Sequence, residues 1–512
     1  MSNNDVELFN DQVIRQYELE KETKYKKNLD FSTFEKAMKE ISDERYQELD
    51  DYILEKPIKT IKKNLNKGVF SAEELVLYFL KRIKKYGSKL NALIELNPGA
   101  LNIAREIDSK LKDGNNLSPL AGIPIILKDN IGTSANMHTT AGAAVLENSM
   151  TNKDAPIVEK IKSLDGVILG KANLSEWAYY MSSDGVCGYS ALGGQTKNPY
   201  GKFDVGGSSS GSGVSTAANL ACAAVGTETC GSIIYPSSQN SVVGLKPTLG
   251  LLENKGIVPI AESLDTPGPM TKNIEDAALL TSLLTDKENL KSQNIDEILD
   301  INKKDFKIGI IDNEKIKDYF RDEDSEILSK AKEDMEKIGF TVEYVEFKEK
   351  VFKVDIDTIL QYEFKKSMKD YLEEYTDGDF PKSLVDIWEY NNEDIKKRAP
   401  YGQDLLQKSA FTKIDEDEYK EVIERDTKLC KEAINKKLEK YDALVSLSNH
   451  FSLVYALGGH PALTIPAGYR SSGEPIGLTF VGGHFQEEKL FNIGYVYEQN
   501  TKHRKMPILE NL

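Results

Sequence analysis

The sequence predicts a single large α/β domain with a mixed central β-sheet flanked by helices, and three observations carry that expectation. Charge thins out between about residues 118 and 285, where Gly, Ala, Ser and Thr rise and short apolar runs such as IPIILK, GVILG and VVGLKP suit buried strands. Glu- and Lys-rich text with helical spacing lies on either side, over residues 1 to about 115 and about 286 to 440. The tail returns to strand-like runs, HPALTIPAG and PIGLTFVGG, able to rejoin the sheet.

Taken in order, residues 1–65 read as an N-terminal helical extension and 66–505 as the main domain. In SAEELVLYFLKRIKKYG, Leu75, Leu77, Phe79, Leu80 and Ile83 can share one face and Ser71 can cap the start. The core motifs follow over 118–285, and Cys230-Gly231-Ser232 comes after a small, apolar run with a helical look. FKIGIID opens the next zone as a strand, a helical insertion runs over about 313–440, and 440–505 returns to the sheet.

Composition excludes several classes. The formal net charge of -16, from 82 acidic against 66 basic residues, leaves no surplus to neutralise phosphates, so no nucleic acid is expected as partner. The opening MSNNDVELFNDQ lacks an apolar h-region and no later run approaches a membrane span, so a cytoplasmic protein with no membrane segment is expected. Four cysteines without C-x-x-C spacing read as reduced thiols. No sign of oligomeric state is present.

The stretch GGSSSGSG, residues 206–213, admits three readings. A linker wants polar or proline-rich flanks, whereas VSTAANLACAAVG follows. A phosphate cradle needs Lys after Gly211, where Ser212 stands, and Thr216 breaks the dinucleotide pattern. Nucleophilic chemistry remains, which requires a hydroxyl, a base and an oxyanion site. With only five histidines in the chain and His138 alone near this zone, a lysine base is a live option. Lys128 ends the run GIPIILK, where lost solvation favours the neutral amine, although an ordinary strand-end lysine reads the same way. Ser232, in TETCGSI, sits at a turn able to aim successive N–H groups at one point.

GIPIILKDN, GGSSSGSG, GTETCGSI, SVVGLKPTLG, DTPGPMTK and GHPALTIPAGY…PIGLTFVGG, taken together and in this order, resemble the amidase signature family over roughly residues 60–505. NLSEWA, GGQTKNPY, QYEFK and YGQDLL look most like its peptide amidase branch, which removes ammonia from C-terminal carboxamides. The resemblance implies the amidase-signature fold and a Ser, cis-Ser, Lys triad, with Ser232 as nucleophile, Ser208 as bridge and Lys128 as base. It implies an oxyanion hole from the backbone of Thr229, Cys230, Gly231 and Ser232, a small-molecule or short-peptide amide as substrate, and no metal or organic cofactor. Met181, Ser182 and Ser183 match a family loop that lines the acyl side or positions the lysine.

Two departures stand out. Cys230 occupies a position usually held by Gly or Asp, open to a packed or a reactive reading, and Ile234 stands where most relatives have arginine. His138 reads as structural, and Ser109 and Ser329, each opening S-x-x-K, as solvated helix faces. Aryl and fatty amide hydrolases, the glutamine-hydrolysing subunit of a tRNA-dependent amidotransferase and a non-catalytic amide-binding relative are the alternatives; pure binding would need no relay through three residues.

Overall fold

The computed structural model describes residues 12–17, 25–114, 117–134, 136–287, 295–378 and 380–511; the rest of the expected N-terminal extension lies outside the described residues. The strands are β1 (Leu93–Leu96), β2 (Pro124–Lys128), β3 (Val167–Ala172), β4 (Tyr189–Ser190), β5 (Gly194–Gln195), β6 (Ala223–Glu228), β7 (Val243–Lys246), β8 (Thr266–Thr271), β9 (Lys307–Ile311), β10 (Thr341–Val345), β11 (Ala443–Leu447), β12 (Ala462–Tyr469) and β13 (Pro475–Val481). Among the described residues, eleven of them form one sheet in the order β1-β3-β2-β6-β8-β7-β12-β13-β11-β9-β10, and β4 pairs β5 separately. The sheet is mixed: β3, β2 and β6 run parallel, as do β11, β9 and β10, while β8, β7, β12 and β13 pair antiparallel between them.

Strands in the charge-poor zone are buried along their whole length, as IPIILK and GVILG require: every residue of β2, β3 and β6 is buried. The apolar run before Cys230, read from its sequence as helical, is strand β6. Its alanines, glycine and valine have no face of their own, and pairing with β2 on one side and β8 on the other decides the conformation. Strands β1 and β10 arise inside text read as helical. They are the outermost strands, four and five residues long, and β10 buries only Val342 and Val345, too few to stand out from its charged surroundings.

The helix Ala72–Arg82 follows its text: Ser71 accepts from the Glu74 N–H while Glu74 returns a bond to the Ser71 N–H, and Leu75, Leu77, Phe79, Leu80 and Ile83 are all buried. Each such side chain contributes about 1.5–3 kcal/mol by leaving water. The helices Ile356–Tyr375, Leu384–Glu393, Asp404–Ala410 and Glu416–Leu438 build a second apolar core, which reaches Trp177, Met181, Ile234 and Tyr455 from the central zone. Among the described residues no helix is long and apolar enough to cross a membrane.

The two ends of the chain are stapled together at Arg504. Its guanidinium donates to both Glu55 carboxylate oxygens at 2.8 Å, to the Ser241 carbonyl at 2.7 Å and to the Ala217 carbonyl at 3.1 Å. Truncation leaves the Glu55 carboxylate with Asn219 as donor but without its cation, and takes a donor from two carbonyls, so Arg504→Ala is expected to lower stability by about 3 kcal/mol, read from the urea midpoint.

Candidate active site

Strand β2 ends at Lys128 and its parallel neighbour β6 ends at Glu228, with Leu127 opposite Val225, so the loops that leave both strands open on one edge. That is where α/β sheets place their reactive groups. Lys128 is fully buried. Its Nζ lies 2.7 Å from Ser208 Oγ, 2.9 Å from Thr227 Oγ1 and 3.2 Å from the Thr227 carbonyl. Asn130 Nδ2 donates to the same Thr227 hydroxyl at 3.0 Å. Burial pushes the Lys128 amine down to about 7, with the nearby Asp265 and Glu228 carboxylates acting in the other direction.

The three serines of GGSSSGSG have three separate tasks. Ser208, which follows a cis peptide bond after Gly207, reaches Lys128. Ser209 ties the loop to β6, its hydroxyl donating to the Thr227 carbonyl at 3.0 Å and accepting the Thr227 N–H at 3.2 Å. Ser210 donates to the Gly206 carbonyl at 2.5 Å and begins the helix Ser210–Ala217. The Ser209 N–H donates to the Ser232 carbonyl at 3.1 Å, which stitches the two loops together one residue from Ser208.

Between β6 and the helix Ile234–Gln239 the chain turns through Thr229, Cys230, Gly231 and Ser232. Gly231 has a φ of 87°, and a Cβ there would lie 3.0 Å from Asn449 Nδ2, so the turn wants glycine on both counts. The ends are pinned. Thr229 Oγ1 donates to Asp265, whose other oxygen accepts the Ile260 and Ala261 N–H groups at 2.8 and 3.0 Å. Glu228 Oε2 accepts the N–H groups of Ile233 at 2.7 Å and Ile234 at 2.9 Å, and its Oε1 accepts the Tyr455 hydroxyl at 2.8 Å. Burial pushes the Asp265 carboxyl up to about 7 and the Cys230 thiol up to about 12, so Cys230 is held as a neutral thiol beside the turn.

A third carboxylate, Asp204, joins the same loops. Asp204 Oδ1 accepts the Gly206 N–H at 2.7 Å and Gln16 Nε2 at 3.1 Å, while Oδ2 accepts the Tyr235 hydroxyl at 2.9 Å. Gln16 also accepts the Val205 N–H at 3.2 Å. Residues from the N-terminal segment, the serine-rich loop and the helix after Ser232 therefore meet on one side chain.

The structure brings Lys128 to Ser208 and ties the loop of Ser208 to the Thr229–Ser232 turn through the Ser209 N–H. The trio Met181, Ser182 and Ser183 stands differently, because the lysine is positioned by Thr227. Ser183 donates to Asp404 Oδ2 at 3.0 Å, Ser182 donates to the Tyr401 carbonyl at 2.7 Å, and the Met181 carbonyl accepts the Leu406 N–H at 3.2 Å. These residues tether the inserted helices to the core. His138 faces Glu95, with Nδ1 2.8 Å from Oε1, and Ser109 and Ser329 are exposed on helices. Thr227 and Asp265 lie within the strings GTETCGSI and DTPGPMTK, where sequence alone gives them no task; Asp204, Gln16 and Tyr455 have no signal of their own in the sequence.

A cavity of about 430 Å³ abuts both loops. Asn449, in contact with Gly231, and Cys187, whose Sγ would lie 3.2 Å from a Cβ on Gly207, are part of its wall. The remaining wall is aromatic, polar or charged, with Tyr179, Gln239, Arg321 and Arg470 among its residues; among the described residues, no Leu, Ile, Val, Met or Phe lines it.

Residues 74–491 match the family described as Amidase. The chain is 35% identical over 479 residues to a probable amidase of Arabidopsis thaliana, covering 89% of this chain and 92% of that one. It is 30% identical to a glutamyl-tRNA(Gln) amidotransferase subunit of Clostridium acetobutylicum, covering 86% and 96%. Among solved structures, an amidase family protein from Bacillus anthracis superposes with a TM-score of 0.86 at 37% identity, covering 93% and 97%. The peptide amidase from Stenotrophomonas maltophilia gives 0.82 at 34% identity, covering 89% and 99%.

The buried lysine makes stability depend on pH in a definite sense. Its amine titrates near 7 in the fold against the ordinary 10.5, so between these values the unfolded chain binds the extra proton and stability rises with pH. Lys128→Met lacks this group, and its stability relative to the parent is expected to fall as pH rises from 7 to 9 in urea titrations. A constant difference would mean that the amine is not displaced.

Proposed function

The chain belongs to the amidase family and is an amidase, and from that premise we propose that it hydrolyses the terminal carboxamide of short peptides, releasing ammonia through an acyl-Ser232 intermediate. The observation that carries the chemistry is the 2.7 Å contact of a buried Lys128 with Ser208. A neutral amine has two N–H groups and one lone pair. Thr227 offers a carbonyl and a hydroxyl to the two donors, which leaves the lone pair facing Ser208.

Ser232 Oγ attacks the carboxamide carbon while its proton passes to Ser208 Oγ and the Ser208 proton passes to Lys128. The resulting oxyanion is held by backbone N–H groups of Thr229, Cys230, Gly231 and Ser232, each donor of this kind being worth about 3–4 kcal/mol in other hydrolases. Lys128 returns its proton through Ser208 to the nitrogen, the C–N bond breaks and ammonia leaves. Water then attacks the acyl-serine by the same relay. The peptide preference rests on the likeness to peptide amidase and on the wall of the 430 Å³ cavity, where Tyr, Gln, Asn and Arg side chains offer hydrogen-bonding groups to a peptide backbone. A second reading, glutamine hydrolysis within an amidotransferase complex, is supported by the Clostridium acetobutylicum relative. Met181, Ser182 and Ser183 act in this account by tethering the inserted helices, Ser182 and Ser183 through Asp404 and Met181 through Leu406, and not on the lysine.

Lys128→Ala and Ser232→Ala are each expected to abolish turnover, and the double variant to be no worse than either, since the groups work as one unit. The rate of the parent is expected to fall as pH drops through about 7, where Lys128 takes up a proton; a profile flat to pH 5 would count against a lysine base. An ammonia-release screen over amidated dipeptides, anilides, long-chain amides and free glutamine tests the substrate. Turnover confined to anilides or fatty amides removes the peptide assignment, and turnover confined to glutamine favours the second reading.

A further inference from the structure

We propose that Tyr455 is a positioning residue for the reaction, acting through the Glu228 carboxylate on the turn that carries Ser232. The inference rests on the reading of Ser232 as nucleophile.

Three observations lead there. Glu228 is buried at the end of β6, and one of its oxygens alone holds the two N–H groups that follow Ser232, those of Ile233 and Ile234. A carboxylate bound only through that oxygen would be free to swing about its terminal bond. The Tyr455 hydroxyl, donating to the opposite oxygen, fixes the carboxylate plane and with it the two N–H groups. Tyr455 is itself fully buried on the helix Ser452–Leu457, so the donor is held by packing and not by solvent. Burial and the Glu228 charge raise its phenol well above the ordinary 10, which keeps the proton on oxygen throughout the working range.

The second consequence is electrostatic. The hydrogen bonds to this carboxylate all come from neutral donors, the Ile233 and Ile234 N–H groups and the Tyr455 hydroxyl. The groups facing Glu228 are Lys128, Lys246, Cys230 and Tyr455, and those facing Lys128 are Asp265 and Glu228. The Glu228 charge therefore acts directly on the basicity of Lys128, unshielded by a guanidinium. Tyr455 sets geometry while leaving that charge in place.

The two effects separate in two variants. Tyr455→Phe removes only the donor: kcat on an amidated dipeptide is expected to fall about tenfold, less than the 10²–10³ lost with a direct oxyanion donor, with KM within about twofold and the acid limb of the pH profile in place. Glu228→Gln keeps an acceptor for the turn and removes the charge, so its acid limb is expected to move to lower pH. Both are also read by the rate at which a fluorophosphonate labels Ser232, located by peptide mass mapping, which needs no amide substrate. Labelling without hydrolysis of the dipeptide would remove the substrate assignment and leave this inference to be decided by the labelling rates. Wild-type kcat and labelling rate in Tyr455→Phe, or a change there confined to melting temperature or KM, would overturn the role of Tyr455, and an unmoved acid limb in Glu228→Gln would overturn the electrostatic part. Should Tyr455→Phe fail to fold, a wild-type labelling rate in Glu228→Ala, which removes the carboxylate through which Tyr455 acts, would overturn the role of Tyr455. Absence of label at Ser232 in the parent would remove the nucleophile and this inference together.

Discussion

A lysine that ends a strand buried on both faces holds its proton less tightly than one in water, and the geometry round Lys128 follows from that constraint. The amine reaches no bulk solvent; it meets one hydroxyl and one carbonyl of Thr227 and the hydroxyl of Ser208. Carboxylates stand near enough to keep its basicity useful and far enough that, among the described residues, none forms an ion pair with it. A direct salt bridge would have returned the amine to its charged form and withdrawn its lone pair. The site is therefore built by withholding a partner as much as by supplying one.

The remaining pieces serve to hold Ser208 against that amine and to bind its loop to the one that carries Ser232. Ser209 fastens one loop to β6, the Ser209 N–H fastens it to Ser232, and Asp204 fastens it to the helix beyond Ser232. These bonds connect segments that are close in space at the edge of parallel strands, which is why a mixed sheet with β2 and β6 adjacent suits the chemistry. The inserted helices complete the picture from outside, through Asp404 and the serines of the 181–183 loop.

Much of this was legible because the chemistry sits in short, unusual strings. A triple serine between glycines and a lysine ending an apolar run are rare enough to be read singly, and their order along the chain named the family. What escaped had physical reasons. Strands β1 and β10 are edge strands whose text is mostly surface text, and the run before Cys230 is too rich in alanine for any period to show. Thr227 fell inside a recognised string but has a task only because β6 lies beside β2, and the task assigned to Ser183 went to it. Glu228 and Tyr455 are 227 residues apart in sequence, and no local pattern announces such a pair.

The meeting of segments on Asp204 has a practical side. Gln16 lies almost two hundred positions before the loop it braces, in a stretch that by its sequence invites removal when a shorter expression version is designed. Cutting it away would take one donor from a buried carboxylate and one acceptor from the Val205 N–H, beside the bond between Gly207 and Ser208. The vicinity of the Gly206 turn, and not the distant amino end, would register the loss. For anyone tagging or trimming this enzyme, the short helix at residues 12–17 is thus best regarded as a distant part of the Ser208 loop.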